Sequence, residues 1–376
     1  MNKKHGKKTQ FLLFGLCSII AMAVCAAVLV VTVRSVEKNN SVTAEYDTQS
    51  KTQLTADKQT MLDYINTLTK TASGNKFIKA NIYTDVSVDD STVTVKKADG
   101  SVSESDKKLI VYAKNKIMPH IDTYYPEDIT GVFGKVNPDL PVIDFSADDI
   151  TECLYTVGET DANGNPVYDG ESGEIIDSDC YFLTFNLNGS EAEGMSALFN
   201  LDQKDEIAKR FLDDTKAELT ADSYTISAPK LTIRAKVNRI TDEIVWIELE
   251  KTYTVNADIT FKGELAVFGK KNITFDYKAI EKIEYFYAGI RFAENAVTVS
   301  PGTEAMLSVN AVIEDNSNYK VTFTSSDSSV VTVDEMGYIK GIKASDKPVT
   351  ITVTLEYLGE KFTDECTVNV TEENNK

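Results

Sequence analysis

Residues 231–261 read LTIRAKVNRITDEIVWIELEKTYTVNADITF. Leu231, Ile233, Ala235 and Val237 alternate with polar residues, and so do Tyr253, Val255, Ala257, Ile259 and Phe261 beyond the turn Arg239-Ile240-Thr241-Asp242. A period of two means one buried face and one wet face, the pattern of antiparallel strands in a meander. Ile244-Val245-Trp246-Ile247 is apolar on both faces, so Trp246 is expected in the core.

The alternation continues outward through Ile273, Phe275 and Tyr277, then Ile283, Tyr285 and Tyr287, after a turn at Phe268-Gly269-Lys270-Lys271. Upstream, Met61, Ile65, Leu68 and Ala72 recur at helical spacing, and Gly74 stands at the C-terminal cap. Phe77, Ile82, Val86, Val93 and Val95 suggest one or two strands. Ser103 or Ser105 caps a second helix with the face Leu109, Tyr112, Ala113, Lys116 and Ile117, ending near Pro119. Pro126, Pro138 and Pro141 make 120–148 an irregular connection. Strand-like runs at 153–157 and 180–187 flank the polar segment Gly158–Asp179, and Asp202 starts a third helix through Ile207, Phe211 and Leu219. Residues 55–292 are therefore expected to form an α+β domain, an antiparallel sheet with helices over one face.

At the N-terminus, residues 11–33 (FLLFGLCSIIAMAVCAAVLVVTV) carry no charge and follow Lys3, Lys4, Lys7 and Lys8. A helix of that length spans about 34 Å, enough for a ~30 Å hydrocarbon core. The expected arrangement is a cytoplasmic tail (1–10), a single-pass transmembrane anchor (11–33) and a polar linker (34–54), with the C-terminal part extracellular. A cleaved secretory signal is the alternative, with Ala21-Met22-Ala23 as its small-residue site, although the run exceeds the usual apolar length. Leu16 and Val24 before Cys17 and Cys25 do not suit lipid attachment.

From Ala293 the spacing shortens to strands about ten residues apart. Val297-Thr298-Val299-Ser300-Pro301-Gly302, then Thr324-Ser325-Ser326-Asp327-Ser328-Ser329-Val330-Val331-Thr332-Val333, then Gly337-Tyr338-Ile339-Lys340-Gly341-Ile342-Lys343-Ala344 occur in that order. In these motifs residues 293–371 resemble the bacterial immunoglobulin-like domain, group 2. Phe323 stands where that family usually has Trp, and Ser345-Asp346-Lys347-Pro348 replaces its Gly-containing turn. The resemblance implies a seven-stranded sandwich serving as a spacer or adhesive module, without catalysis. Residues 372–376 are a polar tail.

Composition narrows the chemistry. The 376 residues hold 39 Lys and Arg against 58 Asp and Glu, a net charge of −19, which argues against nucleic acid as a partner. Of two histidines only His120 lies beyond the first ten residues, so histidine metal clusters and His-based triads have no material. Cys153 and Cys180 each begin a strand of one expected hairpin. They are either a disulfide or two buried small residues, and Cys366, in phase with Val368 and Val370, is a core thiol. Glu159, Asp161, Asn163, Asn165, Asp169 and Glu171 could surround Ca²⁺, but neither loop frame offers both Gly at position six and Glu at position twelve. A solvated hairpin tip fits better.

Ser73-x-x-Lys76 and Ser105-x-x-Lys108 lack the companion motifs of serine–lysine acylases. Gly131-Val132-Phe133-Gly134-Lys135-Val136 lacks P-loop spacing. No catalytic, cofactor-binding or metal residue is therefore assigned. The expectation is a membrane-anchored surface protein with a structural or adhesive role and a protein or glycan partner. One alternative is an apolar-ligand or lipid-binding surface protein, with a cavity on the sheet's concave face; another is an exported wall-glycan hydrolase using two carboxylates.

Overall fold

The hairpin anticipated at 231–261 is longer than its alternation suggested. In the computed structural model, which describes residues 42–45, 49–97, 99–108, 110, 111, 128–136, 140–143, 145–188, 204–314 and 318–372, the described chain forms two compact units. One comprises residues 49–286; the other joins 42–45 to the described part of 287–372.

In chain order the strands of the first unit follow β1 (Thr43–Glu45), which belongs to the second. They are β2 (Ile78–Val88), β3 (Thr94–Lys96), β4 (Ile129–Thr130), β5 (Ile150–Val157), β6 (Cys180–Asn188), β7 (Leu219–Asn238), β8 (Glu243–Phe261) and β9 (Lys270–Tyr287). They form one sheet in the order β4-β2-β9-β8-β7-β6-β5, with β3 beside β9. A 20-residue strand such as β7 is about 66 Å long at ~3.3 Å per residue. Three irregularities in the β7–β8 register bend this ribbon.

The turn between β7 and β8 is closed by Asn238, whose side-chain oxygen accepts from the Ile240 and Thr241 N–H groups at 2.9 and 3.1 Å. Asp242 takes the left-handed conformation (φ 58°). Between β8 and β9 lies a 3-10 helix, Gly263–Phe268, in place of the expected tight turn.

One sheet face is the core side. Helix α1 (Lys58–Ser73) starts at Asp57, whose carboxylate accepts from the Thr60 N–H, and buries Met61, Leu62, Tyr64, Ile65, Thr69 and Ala72. Buried Thr69 accepts the Ile143 N–H at 3.3 Å and so fixes residues 140–143. At the other end of the sheet Val93, Val95, Ile110, Leu219, Phe261, Leu265 and Ile273 form a second cluster, against which Phe211 and Leu212 of helix α2 (Lys204–Asp214) pack. Helix α2 ends at Asp214, where the Thr215 N–H and hydroxyl both bond Phe211 O, and Leu219 opens β7.

Several expectations require correction. Strands account for 51% of the structure, so the fold class is mostly β and not α+β behind a transmembrane helix. The expected third helix ran to Leu219 and the expected turn included Lys270 and Lys271; pairing within the sheet claims all three, and β7 also takes in 220–230, which lay between the expected elements. No helix among the described residues is long and apolar enough to cross a membrane. The expected anchor at 11–33 lies outside the described residues, and the single-pass placement that rested on it has no structural support. Residues 104–108 are helical; the rest of that expected helix from 112 is outside the described residues, as is His120.

The polar segment expected as a linker is bonded at both ends. Strand β1 pairs antiparallel with β11 (Ala296–Val299). Residues 49–54 lie on the first unit: the Lys51 N–H donates to Arg239 O at 2.8 Å, Thr52 Oγ1 to Asp242 Oδ2 at 2.7 Å, Tyr181 OH to Thr52 O and Tyr155 OH to Leu54 O, both at 3.1 Å.

The second unit continues with β10 (Gly289–Phe292), β11, β12 (Glu304–Met306), β13 (Val309–Val312), β14 (Tyr319–Ser325), β15 (Val331–Val333), β16 (Tyr338–Gly341), β17 (Val349–Tyr357) and β18 (Glu360–Val370). Its main sheet runs β1-β11-β18-β17-β14, with smaller sheets β12-β16-β15 and β10-β13. Val299, Val331, Ile339, Ile351, Val353, Leu355, Cys366 and Val368 are fully buried. Ser325 Oγ donates to Val331 O at 2.7 Å, satisfying backbone where the serine-rich run turns. Gly341 is required because a Cβ there would lie 2.7 Å from Ser300 O.

Candidate functional site

The wet face of the large sheet gathers the distinctive chemistry. Ile247, Leu249 and Tyr253 of β8 point to the core, so Trp246, Glu248 and Glu250 point away from it. Strand register places them in rows across five strands. Thr156, Phe182, Lys236, Trp246 and Glu284 form the first, and Leu154, Thr184, Arg234, Glu248 and Lys282 the second. The third is Glu152, Asn186, Thr232, Glu250 and Ile280.

Within the first row the Phe182 and Trp246 rings meet edge to face, centroids 6.3 Å apart. Lys236 Nζ stands 5.5 Å over Phe182 and bonds Asp177 at 2.7 Å. Lys282 Nζ stands 5.6 Å over Trp246 and bonds Glu284 at 3.0 Å. Below them Arg234 Nη1 donates to Glu248 at 2.7 Å and to Glu250 at 2.9 Å, while Lys278 reaches Glu250 at 3.2 Å. Thr232 donates to Asn186, which donates to Glu152, both at 3.0 Å. Burial raises the Glu250 carboxyl, but the hydrogen bonds and charges of Arg234 and Lys278 outweigh it and hold the group below the usual carboxylate range.

A second pair of charges sits on the core side. Lys251 is 5% exposed, and Glu281 is its diagonal neighbour on β9. Burial lowers the Lys251 ammonium and raises the Glu281 carboxyl, and in each the partner's charge only partly offsets it.

Trp246 is thus misassigned by the sequence pattern: it is half-buried on the wet face. The other sequence candidates remain dispersed. Cys153 pairs in register with Phe185 and Cys180 with Asn238; both thiols are free, and five positions of the β5–β6 ladder separate them. The segment from Gly158 to Asp179 forms a secondary hairpin, with Glu159 and Val167 bonded to Ile176 or each other through the backbone. Asp161 Oδ1 accepts from the Asn163 and Asn165 N–H groups, and Asp169 Oδ1 from Glu171 and Ser172. These oxygens stabilise turns and do not converge on a cation.

Among the described residues one cluster has metal-ligand composition: Asp177, Asp179 and Cys180, ligand atoms within 4.8 Å of one another. Lys236 already neutralises Asp177, Asn238 donates to Asp179 Oδ2 at 3.1 Å, and burial pushes the Cys180 thiol up to about 12. A protonated thiol beside a lysine is a poor cation site. Ser73 Oγ donates to Lys70 O and Ser105 lies 3.4 Å from Ser103 Oγ, so neither Ser–Lys spacing forms a nucleophile–base pair among the described residues. Gly131 and Gly134 donate to Ala80 O and Lys76 O, which makes the glycine run a bonded β-loop.

A cleft of about 490 Å³ opens at the opposite end of the sheet, lined by Lys96, Lys97, Gly100, Asp222, Asp258, Ile259, Lys270, Lys271 and Asn272. Charged side chains dominate its lining, whereas a lipid site is lined chiefly by hydrophobic and aromatic side chains.

Residues 287–364 match the family model of the bacterial Ig-like domain, group 2. No curated protein matches the chain. Among solved structures, a crystal structure of Drosophila N-cadherin EC1-3 aligns at 12% identity and TM-score 0.19, covering 37% of this chain and 51% of that one. The alignment spans about half of that chain, and at this score it carries no argument about fold or function.

Proposed function

We propose that the chain is a surface or adhesion-type binding protein, in which the Ig-like unit is a spacer or second contact module and the wet face of the large sheet is the principal contact surface. The observation that carries this reading is the row Phe182–Trp246 set beside Arg234. Aromatic residues and arginine are the side chains that concentrate binding energy when a partner removes them from water. The surrounding ion pairs hold those rings in one orientation, so little side-chain freedom is lost on binding. Recognition of a protein or glycan partner needs no reacting group, and the reading assigns none.

The test is binding of the full chain to arrays of wall glycans, matrix proteins and lipid vesicles, repeated with Trp246→Ala and Phe182→Ala. A partner whose affinity falls at least about tenfold in either variant supports the proposal, a hot-spot loss of that size being typical. Undiminished binding by both variants, or turnover of any arrayed glycan, refutes it.

A further inference from the structure

The lysine-lined cleft is a local reversal of charge in a chain of net charge −19. Sheet register builds it: Lys96 lies opposite Asn272, Asn272 opposite Asp258, and Asp258 opposite Ser223. The loop after β3 is closed by the Lys97 N–H to Ser101 O and the Gly100 N–H to Lys97 O, both 2.9 Å, which holds Lys97 at the rim.

Both carboxylates in the lining are committed. Asp222 accepts from Lys270 at 3.2 Å and Thr260 at 3.1 Å; Asp258 accepts from Asn272 at 2.9 Å and Ser223 at 2.7 Å. Lys271 is committed to Asp106 at 2.8 Å. Lys96 and Lys97 make no ion pair among the described residues. The charge of Lys97 acts on Asp99 and Asp106 without a bonded contact, and the lining sets four lysines, Lys96, Lys97, Lys270 and Lys271, against the carboxylates of Asp222 and Asp258.

We infer that this cleft binds a small ligand carrying two or more tetrahedral oxyanion groups, phosphate or sulfate. Lysine is a point-charge phosphate binder whose flexible stem adapts to anion position. A volume of about 490 Å³ accommodates several linked oxyanions. The acidic remainder of the molecule opposes the approach of anions, so the attraction is local and strongly screened by salt. The inference does not rest on the aromatic row.

The experiment is titration of the full chain with inorganic tripolyphosphate, inorganic sulfate and orthophosphate, followed by calorimetry and by amide NMR shifts. Tripolyphosphate is expected to bind more tightly than either mono-group anion, with shifts at Gly100 and Asn272. Lys96→Ala/Lys97→Ala should raise its Kd at least about tenfold, as should an increase from 50 to 200 mM salt. Both side chains are exposed, so folding is expected to be unaffected; Lys96→Glu, checked by circular dichroism, supplies an independent charge reversal that should abolish binding. Trp246→Ala should leave it unchanged. Absence of binding below about 10 mM tripolyphosphate, an unchanged Kd in the folded lysine variants, or shifts spread over lysines outside the cleft overturns the inference.

Discussion

Replacing Glu250 by Gln tests whether the wet face is held by its ion network. The carboxylate is 6% exposed and receives Arg234 at 2.9 Å and Lys278 at 3.2 Å. Hydrogen bonds to charged groups contribute about 1.5–3 kcal/mol each, and stripping one partner from a buried pair costs about 3–5 kcal/mol. Arg234 keeps Glu248 at 2.7 Å, and the Lys278 side chain is 44% exposed, so both cations recover part of their solvation. E250Q is therefore expected to destabilise the large-sheet unit by about 2–3 kcal/mol. Urea unfolding followed by tryptophan fluorescence is the assay, because the sole Trp in the sequence lies within this unit. The folded-state pKa of Glu250 is depressed, so its contribution is present above the unfolded carboxylate value of about 4.3 and is lost as pH falls through the folded one. The difference between E250Q and wild type should shrink from pH 7 to about pH 3. A loss below about 0.5 kcal/mol at pH 7, or an equal loss at both pH values, would refute the reasoning.

Other perturbations separate the remaining claims. Lys251→Met with Glu281→Leu should stabilise the unit by about 1–4 kcal/mol, read as a higher urea midpoint, because burial outweighs mutual attraction for both ions. The raised Glu281 pKa means that its contribution is intact below about 4.3 and fades as pH rises through the folded value, a dependence the double variant should lack. Asp242→Ala removes the acceptor of Thr52 and Tyr64, 2.7 and 2.8 Å away, at a left-handed position. About 2–3 kcal/mol should be lost, with faster amide exchange at residues 51–54; unchanged exchange there would contradict the claim that Asp242 holds this segment on the sheet. The Cys180 and Cys366 thiols, both pushed up to about 12 by burial, should resist iodoacetamide at pH 8 in the folded protein and react in urea, as mass spectrometry would show.

Much of the large sheet was legible because alternation in β7, β8 and β9 depends only on which residues face the core. The side on which Trp246 falls was not. Lys236 pairs with Trp246 while Val237 pairs with Ile244, so one extra residue, Val245, bulges from β8. That bulge brings both Ile244 and Ile247 to the core and turns Trp246 outward; a run of four apolar residues hides such a change of phase. The Arg234–Glu250–Lys278 cluster draws on three strands, so it emerges only from register. The same holds for Cys153 and Cys180, which share a hairpin but lie five ladder positions apart. Residues 49–54 looked like linker because the sheet grips them through the carbonyls of Thr52 and Leu54, which every residue type possesses.

Charge satisfaction distinguishes the two ends of the wet face. Around Phe182 and Trp246 every lysine and arginine in the first two rows already has a carboxylate partner. A partner covering this region gains chiefly by removing aromatic surface from water, and forming new ion pairs there would require breaking existing ones. The affinity of an aromatic-row partner is accordingly expected to change less than about threefold between 50 and 200 mM salt. At the Lys96–Lys97 end the lining lysines outnumber the lining carboxylates four to two, and affinity should fall steeply over the same range. Measuring both ligands on one sample assigns each to its end of the sheet. An aromatic-row partner as sensitive to salt as tripolyphosphate would show that charge, and not the half-buried rings, dominates recognition, and the role given to Trp246 would fail.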